Sequence, residues 1–365
     1  MGRRAAITRS GSMMSETRTD HYYYNDRNEL TNAVKNVTLN EYAYQYDDIG
    51  NRLSSLDLGT NRTYVANALN QYTNITEVAD EFLPQFDDDG NQTLIKTATG
   101  VWQVTYNGEN RPVSWSCGAT NIVMKFDRTG RRVEYVEMVS GVTNAHHRFV
   151  YDGYVCIQRL NGANNNSIDL VFGWDPSEPV ATSPLVLQNY GEYNLFYTYD
   201  GNKNVSELVF FQQENGIAAH YEYAPFGAVT ATSRSTPVTA YDFRECNPFR
   251  FSSEYVDDVL GVVYYNFRLY NDKYGRWHQR DPWEDLDLNT YVFVVNSSLS
   301  GFDYLGLTSV RSVKSIQCIV GAKTDGFLGP KTVQKIKEYQ MLLINAGLLT
   351  PPADGQWGQK PKPRI

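Results

Sequence analysis

One phrase recurs along the chain and constrains its fold more than any other feature: an aromatic residue, then Asp or Asn, then a Gly or Asn turn, then a basic or polar residue. It reads Tyr24-Asn25-Asp26-Arg27-Asn28, Tyr46-Asp47-Asp48-Ile49-Gly50-Asn51-Arg52 and Phe86-Asp87-Asp88-Asp89-Gly90-Asn91. Further copies are Tyr106-Asn107-Gly108-Glu109-Asn110-Arg111, Phe126-Asp127-Arg128-Thr129-Gly130-Arg131 and Tyr199-Asp200-Gly201-Asn202. The steps from Tyr24 through Tyr46, Tyr64, Phe86 and Tyr106 to Phe126 are 22, 18, 22, 20 and 20 residues. A period near 20 marks a repeat array, whose units bury their apolar faces only against their neighbours.

Each unit reads as a β-hairpin. Flanks such as Tyr42-Ala43-Tyr44-Gln45-Tyr46 and Trp102-Gln103-Val104-Thr105-Tyr106 alternate with period two and are rich in aromatic and β-branched residues. The Asp/Asn-Gly centres supply the positive φ of a tight turn. Stacked hairpins align the tyrosines into a ladder along the sheet, which serves packing or, in the rarer case, an aromatic platform for sugar.

Composition excludes several classes. With 365 residues the chain has room for two or three domains, and 13% aromatic against 20% charged residues is not the balance of a disordered chain. No apolar run approaches the ~18 residues of a membrane span. Met1-Gly2-Arg3-Arg4 is basic, but no apolar stretch follows, so it does not read as a secretion signal. Cys117, Cys156, Cys246 and Cys318 form no C-x-x-C pair, which argues against a disulfide framework or zinc knuckle. His146-His147 points to opposite faces of a strand, so no metal ligand set and no cofactor is expected.

Charge marks a boundary. Residues 308–365 hold nine basic and three acidic residues, or +6, leaving 24 basic and 38 acidic residues, or −14, in 1–307.

Between 195 and 307 the motifs crowd together: Tyr221-Glu222-Tyr223-Ala224-Pro225-Phe226-Gly227, Asn247-Pro248-Phe249-Arg250-Phe251-Ser252-Ser253-Glu254-Tyr255, Gly261-Val262-Val263-Tyr264-Tyr265-Asn266-Phe267-Arg268-Leu269-Tyr270, Tyr274-Gly275-Arg276-Trp277 and Arg280-Asp281-Pro282. In this order and spacing they resemble the repeat-associated core of the RHS family (rearrangement hotspot proteins, teneurins and the C subunits of insecticidal toxin complexes). The upstream phrase resembles that family's YD repeat. The resemblance implies a mostly β fold, with a hairpin array winding part of a β-shell that a core segment plugs. The expected organisation is a poorly ordered 1–20, degenerate repeats over 21–194, the core over 195–307 and a small all-α domain over 308–365. Because the repeats already run at residue 24, a larger N-terminal RHS portion, missing or separately encoded, is expected.

Some family members cut themselves after the core with an aspartyl-protease-like pair and a supporting Arg. Carried over by position, these are Asp281, Asp303 and Arg268, with the scissile bond between Leu307 and Thr308. Two close carboxylates do not both ionise cheaply, so one keeps a proton and polarises the carbonyl while the other activates water. The guanidinium steadies developing charge. The alternative is that Asp281-Pro282 and Asp303-x-x-Gly306 are turn residues. Three places depart from the family pattern: Trp283-Glu284-Asp285 lacks a Gly, Asn296-Ser297-Ser298 lacks a Pro, and Tyr304 replaces a Pro.

In the tail, Val313, Ile316, Gln317 and Val320 fit a short helix closed by Gly321. Thr332 is placed as the cap of a second, with Val333, Ile336, Tyr339 and Leu343 in one stripe and Gly347 at its end. Two loops repeat each other, Asp325-Gly326-Phe327-Leu328-Gly329 and Asp354-Gly355-Gln356-Trp357-Gly358. This tail is similar to the peptidoglycan-binding helical domain found beside cell-wall hydrolases, which implies glycan contacts from Phe327, Trp357, Asp325 and Asp354. It has no nucleophile, base or metal cluster. The resulting expectation is a secreted or surface shell protein of bacterial type that presents, and releases by self-cleavage, a tail binding peptidoglycan or another wall glycan. No turnover enzyme is evident, and the +6 tail favours wall over nucleic acid. Two other classes stand beside it: a carbohydrate-binding adhesin, and part of a polymorphic toxin whose tail is the effector, with its own toxin partner.

Overall fold

The computed structural model describes residues 3–14, 16–36, 39–176, 183–189, 193–210, 216–235, 242–282, 289–301, 303–309, 317, 321–323 and 330–345. The fold is mostly β, as the alternating flanks require. Among the described residues, an eight-stranded antiparallel sheet runs from Ala6–Arg9 to Asp80–Phe82 and a fourteen-stranded one from Gln85–Phe86 to Val229–Ser233. Every strand pairs only with its neighbours in sequence, so the ribbon is one long meander. It breaks at Leu83-Pro84, where proline has no N–H to offer a ladder.

The turns share one geometry. The Asp47 N–H donates to Asn51 O at 2.9 Å and the Gly50 N–H to Asp47 O at 3.3 Å. The Asp47 Oδ1 also accepts the N–H groups of Ile49 (3.0 Å) and Asn51 (2.8 Å). The backbone pattern recurs at Asn25, Asn67, Asp87, Asn107, Asp127 and Asp200. Positive φ falls on the third residue after each, at Asn28, Gly50, Asn70, Gly90, Asn110, Gly130 and Lys203, and not on Gly108 or Gly201. The Asx side chain spans the first half of the turn, which leaves the left-handed residue for its end.

This register also corrects the repeat. The position equivalent to Tyr46 and Phe86 is Ala66, which ends its strand just before Asn67, whereas Tyr64 lies two residues earlier inside the strand. The step is therefore an even 20 from Tyr46 through Ala66, Phe86 and Tyr106 to Phe126. Several tyrosines tie one hairpin to the one before: Tyr46 Oη donates to Leu30 O, Tyr106 Oη to Gln92 O and Tyr223 Oη to Val205 O, at 2.7–2.8 Å. Tyr22, Tyr42, Tyr44, Tyr64 and Tyr72 are buried, so at these positions the ladder is packing.

The segment from Phe243 onward forms a short helix and a small four-stranded sheet, Tyr255–Asp257, Val262–Tyr264, Leu269–Asn271 and Arg276–Trp277. Its core is aromatic: Phe251, Tyr265, Tyr270, Trp277 and Phe293 pack together. The repeat turns grip this segment one after another. Asn296 Nδ2 donates to Gly50 O at 2.8 Å, Tyr291 Oη to Gly90 O at 2.7 Å, Arg111 Nη1 to Asn266 O at 3.0 Å and Asn202 Nδ2 to Ser298 O at 2.6 Å. The Ser298 hydroxyl in turn donates to Pro225 O at 2.6 Å, which locks it in place.

In the tail the described helix runs Pro330–Asn345 and starts two residues before the expected cap. Pro at the first helical position lacks only an N–H that would have had no partner there. Thr332 is instead buried inside the first turn, and its hydroxyl accepts from Gln317 Nε2 at 3.1 Å.

A candidate self-cleavage site

A short hairpin spans the start of the tail, with Asp303 opposite Ser309 and Tyr304 opposite Thr308. Leu305, Gly306 and Leu307 turn the chain, and Leu305 and Gly306 both hold positive φ, 61° and 72°. A Cβ on Gly306 would stand 3.0 Å from Tyr265 Cβ and 3.1 Å from Arg268 N, so both backbone angle and space require glycine. The Phe267 N–H donates to Leu305 O at 2.9 Å and pins the turn to residues 265–268.

Arg268 lies beneath that turn, buried, and its guanidinium organises everything around it. Nε donates to Gly306 O at 2.6 Å and Nη1 to Thr290 O at 3.2 Å. Nη2 faces Asp281 Oδ2 at 2.9 Å and Asp303 Oδ2 at 3.0 Å. The other Asp303 oxygen accepts the Leu307 N–H at 3.0 Å, on the same residue whose carbonyl begins the Leu307–Thr308 bond. The Asp281 N–H donates to Thr290 O at 3.1 Å, so one carbonyl fixes both the Asp281 backbone and the guanidinium. Residues 268, 281 and 303 thus meet on one nitrogen, both carboxylates within a hydrogen bond of it.

One guanidinium nitrogen faces two carboxylates, that of Asp303 buried and that of Asp281 partly exposed. A third acid stands near. Burial, and then the Asp303 charge, hold the Glu254 carboxyl well above its usual range. Tyr265 is likewise raised, first by burial and then by Glu254.

The trio expected from sequence is therefore brought together. Phe327, Trp357, Asp325 and Asp354 lie outside the described residues, as does Trp283. His146 and His147 occupy opposite faces: His146 Nε2 pairs with Glu134 at 2.9 Å, and His147 stacks on Tyr135. Sequence reasoning missed four neighbours of the site, namely Trp277, Thr290, Gly306 as an acceptor, and Glu254. Trp277 stood inside the noted Tyr274-Gly275-Arg276-Trp277 motif, but no local pattern gives its distance from Arg268. Thr290 contributes only a carbonyl, which leaves no trace in residue type.

No family model matches the chain. It is 25% identical over 221 residues to Double-stranded DNA deaminase toxin A of Burkholderia cenocepacia (strain H111), a match covering 54% of this chain and 15% of that protein. It is 29% identical over 142 residues to Salivary gland surface protein 1 of Aedes aegypti, covering 39% of this chain and 4% of that one. The chain thus spans only a small part of the curated relatives it matches. A crystal structure of TcdB2-TccC3-TEV superposes with a TM-score of 0.52 at 15% identity, covering 80% of this chain and 17% of that one. The chain therefore shares its mostly antiparallel β fold with a part of the TcdB2-TccC3-TEV structure, and its sequence is similar to a segment of a much longer bacterial toxin.

Proposed function

We propose that this chain is part of an RHS-type shell that cuts its own backbone between Leu307 and Thr308 and so frees its C-terminal tail. The observation that carries this reading is the single Arg268 nitrogen facing Asp281 and Asp303 beside the Gly306 carbonyl. In the step we infer, the ionised carboxyl takes a proton from water and the protonated one donates to the Leu307 carbonyl oxygen. Water oxygen bonds to the Leu307 carbonyl carbon. The carboxyl that took the proton from water passes it to the Thr308 nitrogen, and the C–N bond breaks. The gem-diol returns a proton to the other carboxylate, leaving a carboxylic acid on Leu307, which ionises in water, and an amine on Thr308. Arg268 opposes the negative charge that would otherwise accumulate between the two acids.

The tail is the cargo. The doubled Asp-Gly-x-x-Gly loops favour cell-wall glycan as its target, with Phe327, Trp357, Asp325 and Asp354 as contacts, and a secreted or surface location accords with that. That a relative is named a toxin favours the second reading, in which the freed tail is an effector.

Intact mass of the purified chain tests the first claim. Wild type is expected as fragments of residues 1–307 and 308–365. Asp281→Asn and Asp303→Asn each leave the chain whole, since an amide cannot relay the proton. Cleavage that survives both changes refutes the assignment. For the tail, sedimentation of 308–365 with purified sacculi, weaker in high salt, supports wall binding. Growth arrest on expressing 308–365, with no sacculus binding, supports the effector reading instead.

A further inference from the structure

We propose that Trp277 is a positioning residue of this site: its indole face fixes the plane of the Arg268 guanidinium, so that one nitrogen serves both Asp281 and Asp303. The proposal rests on the self-cleavage reading and adds the element that sets its geometry.

The Arg268 guanidinium carbon lies 4.0 Å from the centroid of the Trp277 ring, the shortest cation–ring contact among the described residues. Hydrogen bonds to Gly306 O, Thr290 O and Asp303, and the ion pair with Asp281, all engage the edge of the guanidinium plane. Edge contacts alone leave the group free to tilt out of plane or to admit water over its face. A ring stacked on the face removes that freedom, and Trp offers the strongest such surface.

The indole is itself immobile. Tyr265, Tyr270 and Phe293 surround it at centroid distances of 4.9, 5.5 and 5.5 Å. The Trp277 backbone pairs with Tyr270 in the small sheet, and its backbone N–H donates to Tyr291 O at 3.1 Å. Arg268 directly precedes the strand Leu269–Asn271, so ring and guanidinium are placed by two adjacent strands. Buried indole N–H groups usually find a partner, yet Trp277 Nε1 is buried with none among the described residues. The site therefore uses the ring for its face, not for its polar edge.

A tryptophan that merely fills the core would give a different mutational pattern, and comparison with Phe293 separates the two. Phe293 touches the same ring from the aromatic cluster. Cleavage rate, its pH profile and melting temperature are measured for wild type, Trp277→Phe, Trp277→Leu and Phe293→Leu in the full chain. Trp277→Phe keeps a π face and should cleave within about three-fold of wild type. Trp277→Leu should fold yet cleave at least about ten-fold more slowly, with a displaced acid limb, because the carboxylates lose their fixed cation. Phe293→Leu should lose comparable melting temperature but keep the wild-type rate within about three-fold and the wild-type pH profile. Trp277→Met repeats the test should the Leu variant fail to fold, since Met is apolar and adaptable but has no ring. Equal slowing in Trp277→Leu and Phe293→Leu, or wild-type rates in Trp277→Leu, overturns the positioning role while leaving the Asp pair intact. A wild-type chain that stays whole overturns the self-cleavage reading, and this proposal with it.

Discussion

At the scale of the residue, the site depends on positions that tolerate very little. Gly306 combines a positive φ with a Cβ position crowded by Tyr265 and Arg268. Gly306→Ala should therefore cost more than the ~1–2 kcal/mol of a left-handed residue alone, because the turn must also shift. That shift moves the carbonyl that Arg268 Nε holds. Both a lower melting temperature and slower self-cleavage are expected. Wild-type cleavage in Gly306→Ala would show that the turn need not be fixed. His278 illustrates the opposite role, a buried group kept neutral. Burial pushes its pKa down to about 3, and its Nδ1 lies 3.1 Å from Gln92 Oε1. An unfolded histidine titrates near 6.5, so below that pH the unfolded chain binds a proton that the folded chain refuses. Its contribution is thus complete above pH ~6.5 and falls by roughly 1.4 kcal/mol per pH unit as pH drops from there towards 3. In His278→Gln, the slope of stability against pH between 6.5 and 4 should be shallower than in wild type. An unchanged slope would show that His278 is accessible to protons in the folded state.

At the scale of the element, the hairpin turn joins sheet to core. Gly90 and Gly59 share a positive φ, 83° and 88°. They differ in surroundings: a Cβ on Gly90 would meet Tyr291 Oη at 2.7 Å and Arg280 Cδ at 2.8 Å, whereas Gly59 has nothing within 4 Å. Gly59→Ala should show the backbone cost alone, about 1–2 kcal/mol. Gly90→Ala should cost more, since it also displaces the core segment that Tyr291 anchors. Chemical denaturation of the two variants makes the comparison, and equal losses would mean that turn and core are not coupled. The hairpins themselves were legible, because alternation and Asx-Gly turns are local signals. Tracking aromatics misplaced one unit by two residues, since Ala66 fills a position where the neighbouring units carry Tyr or Phe. The left-handed position was also misread at Gly108 and Gly201, where the Asx side chain moves it to Asn110 and Lys203. Thr332 was misread as a cap because its hydroxyl suits one, although Pro330 starts the helix better and Gln317 uses the hydroxyl inside the fold.

At the scale of the whole molecule, a meander of short hairpins packs its turns against an aromatic core segment, and that segment presents the candidate site beside the start of the tail. Asp281, Asp303 and Arg268 were legible through resemblance to a family, since 35 residues separate Arg268 from Asp303 and no spacing rule brings them together. Trp277, Thr290 and Glu254 were not legible, because their roles come from distance across the fold. The central claim is that this pocket hydrolyses one peptide bond of its own chain. Refolding full-length chain, captured unfolded in denaturant before it can cleave, in water enriched in oxygen-18, then measuring both fragments by mass spectrometry, tests it most directly. One heavy oxygen on the carboxylate of Leu307 is expected, with an unlabelled amine at Thr308 and a rate independent of protein concentration. A chain that stays intact, a cut at another bond, or a rate that rises with concentration would contradict it.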